Sequence, residues 1–127
     1  MMGQGSMALG VAVGAIFGAL LRWGVGLWLN PVWAGFPVGT MAVNWVGGLL
    51  AGVAYVVLGR HPNDAWRAVA VIGFLGGLTT FSSFSAESLA LIERDRWLMA
   101  MLHTLAHVLG ALFCAILGAR LARIWVS

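Results

Sequence analysis

The chain has no lysine, a single cysteine and only four acidic residues among its 127. Without lysine its basic charge rests on seven arginines, which are dispersed, so the formal charge of +3 marks no nucleic-acid-binding face. One cysteine, Cys114, excludes an intrachain disulfide and leaves the redox compartment unmarked. The scarcity of charge says most: residues 1–21, 23–59, 68–86 and 97–119 carry none, and 61% of the chain is hydrophobic. That composition places lipid around most of the molecule. A helix needs about 20 apolar residues to cross hydrocarbon. The run over residues 23–59 is too long for one span, and Asn30-Pro31 and Pro37 divide it. The expected spans are residues 7–29, 38–58, 66–92 and 97–125, with short connectors that make consecutive helices antiparallel neighbours. MMGQGS, ahead of the first span, lacks the positive n-region of a secretory signal peptide, so that segment is read as a membrane helix. No internal repeat, low-complexity segment or linker is visible, and residues 1–127 form one all-α integral membrane domain.

Arg60, Arg67, Arg120 and Arg123 fall on one side of this layout, and Arg22, Arg94 and Arg96 on the other. A bias of one arginine is too weak to impose one insertion direction, so both orientations are expected. Four helices enclose little space, and an antiparallel pair of inversely inserted copies would supply a second wall for a transport pathway. Glycine sets the packing: Gly10, Gly14 and Gly18 recur every fourth residue in the first span, Gly47, Gly48 and Gly52 mark the second, and Gly110 and Gly118 the fourth. These are expected to be close helix–helix contact faces.

The third span reads GFLGGLTTFSSFSAE from Gly73 to Glu87. Two adjacent glycines followed by β-branched Thr79 and Thr80 disfavour regular helix and predict a break in mid-membrane. A break exposes carbonyls to a small cation and a new helix N-terminus to anions. The alternative is a continuous kinked helix whose hydroxyls bond back one turn earlier. Phe81 and Phe84 share a helix face, with Ser82 and Ser85 beside it. Such aromatic pairs are core residues in most helices, but their positive ring edges can also favour an anion without a full charge. Asn44, with Thr40 one turn away, offers amide donors or interhelical bonding. In the fourth span His103 and His107 lie one turn apart with Thr104 between them. An i, i+4 histidine pair suits zinc, but no third ligand stands at helical spacing, so anion donors or interhelical bonds are the readings kept.

These residues carry a resemblance. GAIFGALLRW near Arg22, GTMAVNWVGG around Asn44 and above all GFLGGLTTFSSFSAE, together with the four-span layout, resemble the small bacterial fluoride channels of the Fluc or CrcB family over essentially the whole chain. The resemblance implies a multi-pass protein of the bacterial inner membrane, not an enzyme, working as an antiparallel dual-topology homodimer. It further implies two fluoride pores and a structural sodium ion at the dimer centre. By the same resemblance Phe81 and Phe84 line the pores, Asn44 is the pore asparagine, and Gly76 and Thr79 lend backbone carbonyls to sodium. Thr40, Ser82, Ser83 and Glu87 match polar positions along the anion route. The fourth span departs from the tyrosine, serine and threonine of the family pattern, and His103, Thr104 and His107 stand as substitutes. A bare carboxylate at Glu87 would repel fluoride, so it is expected to order a neighbouring donor or to be protonated.

A passive anion pathway fits the chemistry of fluoride. Hydrogen fluoride enters as a neutral acid and dissociates inside, and an inside-negative potential drives the anion out with about 2.3 kcal/mol per 100 mV. Absent lysines agree with a pathway that avoids deep charge wells. A proton-coupled multidrug exporter of the four-helix class would need a buried carboxylate in its first helix, where this chain has none. An accessory subunit packing on a larger complex would account for the glycines but not for TTFSSFS.

Overall fold

The computed structural model describes residues 3–33 and 35–127, and no strand occurs among them. The first helix, Gln4–Leu29, ends in a 3-10 turn, Asn30–Val32, where Pro31 cannot donate a backbone bond. The second helix is Val38–Arg60. The third segment starts as Asp64–Trp66, capped by the Asn63 side chain accepting from Trp66 N at 2.9 Å. It runs on through wide π-helical turns, Arg67–Leu75, and a last helical turn, Gly76–Leu78, and after Thr79 and Thr80 resumes as Phe81–Glu93. Asp95, at φ 57°, turns the chain into the fourth helix, Trp97–Trp125. The four stretches Gln4–Val32, Val38–Arg60, Asp64–Glu93 and Trp97–Trp125 are each long and apolar enough to cross a membrane. The first therefore begins earlier and ends later than hydropathy alone placed it.

Glycine lets these helices touch backbone to backbone. A Cβ at Gly14 would overlap the Val69 carbonyl and one at Gly18 the Phe74 carbonyl. From the opposite side, a Cβ at Gly73 would sit 2.6 Å from the Val11 carbonyl oxygen, and one at Gly77 2.6 Å from that of Ala15. The first helix and the π-helical half are thus pressed together along a stripe without side chains, and the wide turns fall within this contact. The second and fourth helices form the other close pair: Gly52 faces the Ala115 carbonyl and Gly118 the Leu49 carbonyl. Trp45 lies over Gly110 and donates its indole N–H to the Ala106 carbonyl at 3.0 Å. Small apolar clusters, Val43 with Leu75 and Leu78, and Val56 with Ala119 and Ala122, fill the remaining interior. Large side chains such as Leu9, Phe17, Leu105 and Phe113 point outward, as expected of surfaces whose solvent is lipid. Trp23, Trp28, Trp33 and Trp97 cluster at the span ends of one side and Trp66 and Trp125 at the other, as interfacial anchors do.

Replacing Gly52 by leucine should drive a side chain into the Ala115 backbone and destabilise the fold by about 1–3 kcal/mol or more, as overpacking does. Gly59→Ala, at a site with open space around it, should be neutral or slightly stabilising. Thermal unfolding in detergent compares the two.

Candidate functional site

The break is narrower than the glycines suggest. Gly76 and Gly77 are helical, and only Thr79 (φ −89°, ψ 155°) and Thr80 (φ −150°, ψ 121°) are extended. Thr79 closes the upstream half by giving its N–H (3.0 Å) and its hydroxyl (2.8 Å) to the Leu75 carbonyl. Thr80 caps the downstream half by accepting from Ser83 N at 3.1 Å. The Thr80 N–H and carbonyl are met from the second helix. Asn44 Oδ1 accepts from Thr80 N at 2.8 Å and Asn44 Nδ2 donates to the Thr80 carbonyl at 3.0 Å, a strand-like pairing of one side chain with both backbone groups of one residue. The second Nδ2 proton is directed at His107 Nδ1, 3.1 Å away. Every polar atom of Asn44 is therefore engaged. At the upstream end Arg22 Nε donates to the Gly77 carbonyl at 3.0 Å, so a cation from the first helix sits on the half-helix C-terminus.

A second network surrounds Glu87. Its Oε1 accepts from the Thr40 hydroxyl at 2.6 Å and its Oε2 lies 3.2 Å from Nε2 of the fully buried His103. His103 Nδ1 is 2.8 Å from Ser88 Oγ, which is 3.2 Å from Thr104 Oγ1, and the Thr104 hydroxyl donates to the Ala100 carbonyl at 2.9 Å. One assignment supplies a proton to each contact: Thr104 to Ala100, Ser88 to Thr104, and His103 Nδ1–H to Ser88. Only His103 Nε2 then faces the carboxylate, and the Glu87–His103 contact needs one proton between two acceptors. The pair holding that proton is neutral overall, whichever partner carries it. Glu87 in this state is no bare negative charge.

Two cavities meet at the break. One of about 320 Å³ is bordered by Arg22, Asn30, Thr40, Thr80, Ser83 and Glu87. The other, an open groove of about 510 Å³, is bordered by Asn44, Gly76, Thr79, Thr80, Phe81, Phe84 and His107 among others. Thr80 belongs to both. Phe81 and Phe84 meet edge to face with centroids 5.1 Å apart; Phe84 is buried while Phe81 is 76% exposed. Phe84 also stacks on His103 at 5.6 Å and lies 4.9 Å from His107.

Of the residues singled out from the sequence, Thr40, Asn44, Ser83, Phe84, Glu87, His103, Thr104 and His107 converge around the break and the two cavities. Ser82 is exposed and touches only the Thr80 hydroxyl, at 3.3 Å, and Ser85 bonds back to the Phe81 carbonyl at 2.9 Å. Ser88 and Phe36 were missed. Ser88 lies four residues after Phe84 on the same helical stripe, which was a usable signal. Phe36, edge-on to His103 at 5.3 Å, comes from a loop and gave none. The third acid or imidazole group sought near the histidines exists, but on another helix: ligand atoms of Glu87, His103 and His107 lie within 4.8 Å of one another. Ligands at about 2.0–2.1 Å from a tetrahedral zinc stand about 3.3 Å apart, and His107 Nδ1 already accepts from Asn44. The cluster is better suited to protons than to a metal.

Comparison with known proteins adds an independent line. Residues 9–119 match the family described as CrcB-like protein, Camphor Resistance (CrcB). The chain is 39% identical to the fluoride-specific ion channel FluC of Pasteurella multocida over 127 residues, covering 98% of this chain and 99% of that protein. It is 45% identical to FluC of Marinobacter nauticus, covering 87% of this chain and 89% of that one. It is 46% identical to FluC of Aromatoleum aromaticum, covering 87% and 86%.

Asn44→Ala should leave the Thr80 N–H and carbonyl unpaired at a depth without bulk water. A stability loss of about 1–3 kcal/mol is expected, together with faster hydrogen exchange at the Thr80 amide than in the parent protein. Exchange mass spectrometry of the purified protein measures both the local and the global opening.

Proposed function

The chain belongs to the CrcB family, and from that premise we propose that it conducts fluoride passively across a bacterial membrane. The relatives bear the names of ion channels, in keeping with a protein that is not an enzyme. The observation that carries the reading is the helix break itself, where hydroxyls, the Asn44 amide, the rings of Phe81 and Phe84 and the His107 imidazole border two cavities that share Thr80. Arg22 is the one cationic side chain bordering the smaller cavity and draws an anion toward the hydroxyls of Thr40, Thr80 and Ser83. Glu87 is turned away from a bare charge by its partners, the Thr40 hydroxyl on one oxygen and His103 facing the other. Beyond Thr80 the route passes Phe84 and Phe81, whose positive ring edges replace water without a charge deep enough to trap the ion. A proton-coupled exporter would need a carboxylate free to exchange its proton for a cation, and Glu87 is bonded on both oxygens.

One copy leaves the groove along Gly76, Thr79 and Phe81 open, and a second copy inserted with the opposite orientation would close it, as the four-to-three arginine division allows. The same face suits sodium. Thr80 N–H goes to Asn44 and not to the Gly76 carbonyl, and Ser83 N–H goes to Thr80 Oγ1 and not to the Thr79 carbonyl. The two carbonyls assigned to the ion are thus released from helical pairing, and hard oxygens of this kind suit a small cation. Bound there, sodium would supply fixed positive charge beside the anion route.

Liposomes holding only the purified protein should lose fluoride rapidly while retaining chloride. Phe81→Ile and Phe84→Ile should each lower the fluoride rate about tenfold, with folding intact because volume is nearly conserved. Parent-like flux in both variants would remove the phenylalanines from the pathway. Paired cytoplasmic and periplasmic reporters on the C-terminus should both give signal in one population; a single orientation would reject the inverted pair.

A further inference from the structure

Away from the break, a groove of about 450 Å³ opens between the second helix and the π-helical half of the third segment. The glycine contacts explain why it is there. They draw the π-helical half onto the first helix and the second helix onto the fourth, and the space between these two close pairs is left unfilled. Leu50, Val53 and Val57 line one wall and Ala70 and Phe74 the other, while the polar members, His61, Asn63 and Trp66, all stand at the mouth. Among the described residues, none from the first or fourth helix borders it. The groove also lies apart from the face that a second copy would cover. On the second helix that face carries Asn44, Gly47 and Ala51, and at about 3.6 residues per turn Leu50, Val53 and Val57 stand roughly a third to half a turn away from it. It opens to lipid.

Depth and charge together identify the occupant. From His61 to Leu50 the groove follows the second helix for about 16 Å, against about 15 Å of hydrocarbon in one leaflet. At the mouth the unspent charge is that of Arg67. Arg60 gives its guanidinium to the Val126 carbonyl, and the one ion pair among the described residues joins His103 and Glu87. Arg67 borders a cavity of about 350 Å³ that shares Ala54, Leu58 and Val71 with the groove, which sets its charge beside the entrance. Asn63 spends its Oδ1 on Trp66 N and keeps its amide N–H groups to donate. We propose that the groove holds one acyl chain of an acidic phospholipid, whose phosphate sits at the mouth beside Arg67 and Asn63. The inference stands apart from the fluoride reading. Phe74 and Leu75 form the deep end of the groove, and the Leu75 carbonyl is the one that takes both the N–H and the hydroxyl of Thr79. The lipid chain therefore props the turn from which the break begins and keeps the half-helix from leaning onto the second helix.

The test places full-length protein in nanodiscs of phosphatidylglycerol and phosphatidylcholine with identical chains and reads the lipid retained on release by native mass spectrometry. Phosphatidylglycerol should be retained about fivefold over phosphatidylcholine, the preference that one arginine at a bilayer surface supplies. Arg67→Gln should abolish that preference, and Ala70→Trp, which fills the groove, should abolish retention of either lipid. A phosphatidylglycerol carrying a diazirine midway along one chain needs no variant: on illumination it should mark Val53, Ala54 or Phe74. Equal retention of the two lipids by the parent, an unchanged preference in Arg67→Gln, or an unchanged adduct in folded Ala70→Trp would overturn the proposal. So would a diazirine label confined to the outward faces of the first and fourth helices, which is ordinary boundary lipid, or crosslinks between two copies through the groove, which would make its occupant the protein itself.

Discussion

The pairing of the Asn44 side chain with both backbone groups of Thr80 is the constraint on which the rest depends. A two-residue extended segment inside a membrane has peptide groups that lipid cannot pair, and each one left unpaired in an apolar environment costs several kcal/mol on general grounds. Asn44 meets both at once, at 2.8 and 3.0 Å. Because the third segment can break there, Thr79 and Thr80 open toward two cavities, the downstream half-helix begins at Phe81, and the stripe of Phe81, Phe84 and Ser88 is aimed at the fourth helix. The glycine stripes serve the same end. They hold the first helix against the π-helical half and the second against the fourth, so that Asn44 is placed within reach of Thr80 and His107 together.

Charge follows a consistent rule through the site. Most of the polar groups that border the two cavities carry no charge, the hydroxyls of Thr40, Thr79, Thr80 and Ser83 and the Asn44 amide among them, and the Glu87 carboxylate is engaged by the Thr40 hydroxyl and faces His103. The exception is Arg22, and its Nε is turned onto the Gly77 carbonyl. A small, strongly hydrated anion needs donors that repay its water without binding so firmly that it stays. A lining of partial charges meets both conditions, where lysines would meet only the first.

Much of this was legible in the amino-acid order, and what was not has a physical reason. Charge-free runs located the four spans because the cost of burying charge in lipid is local to each helix. Glycine spacing located the close contacts for the same reason, since repeats of four lie on one face. The break was legible in Thr79-Thr80, but the glycines before it were read as part of it. They remain helical because Gly77 is needed to admit the Ala15 backbone, a demand set by a helix some sixty residues earlier in the chain. The identity of the polar residues was readable, whereas their pairing was not. Thr40 with Glu87, Glu87 with His103 and Asn44 with His107 each join different helices, and no periodicity within one helix reports such a partner. Ser88, between His103 and Thr104, could have been placed on the Phe84 stripe, but its two partners on the fourth helix could not.

The central claim is passive conduction of fluoride through a pathway with no deep charge well and no coupled ion. Its most direct test is the reversal potential of current through the purified protein in a planar bilayer, with a fluoride gradient, equal chloride and a pH difference across the membrane. The account predicts reversal at the fluoride equilibrium potential, unmoved when the pH difference or the sodium gradient is inverted. A reversal potential that follows chloride, or that shifts with protons or sodium, would contradict it.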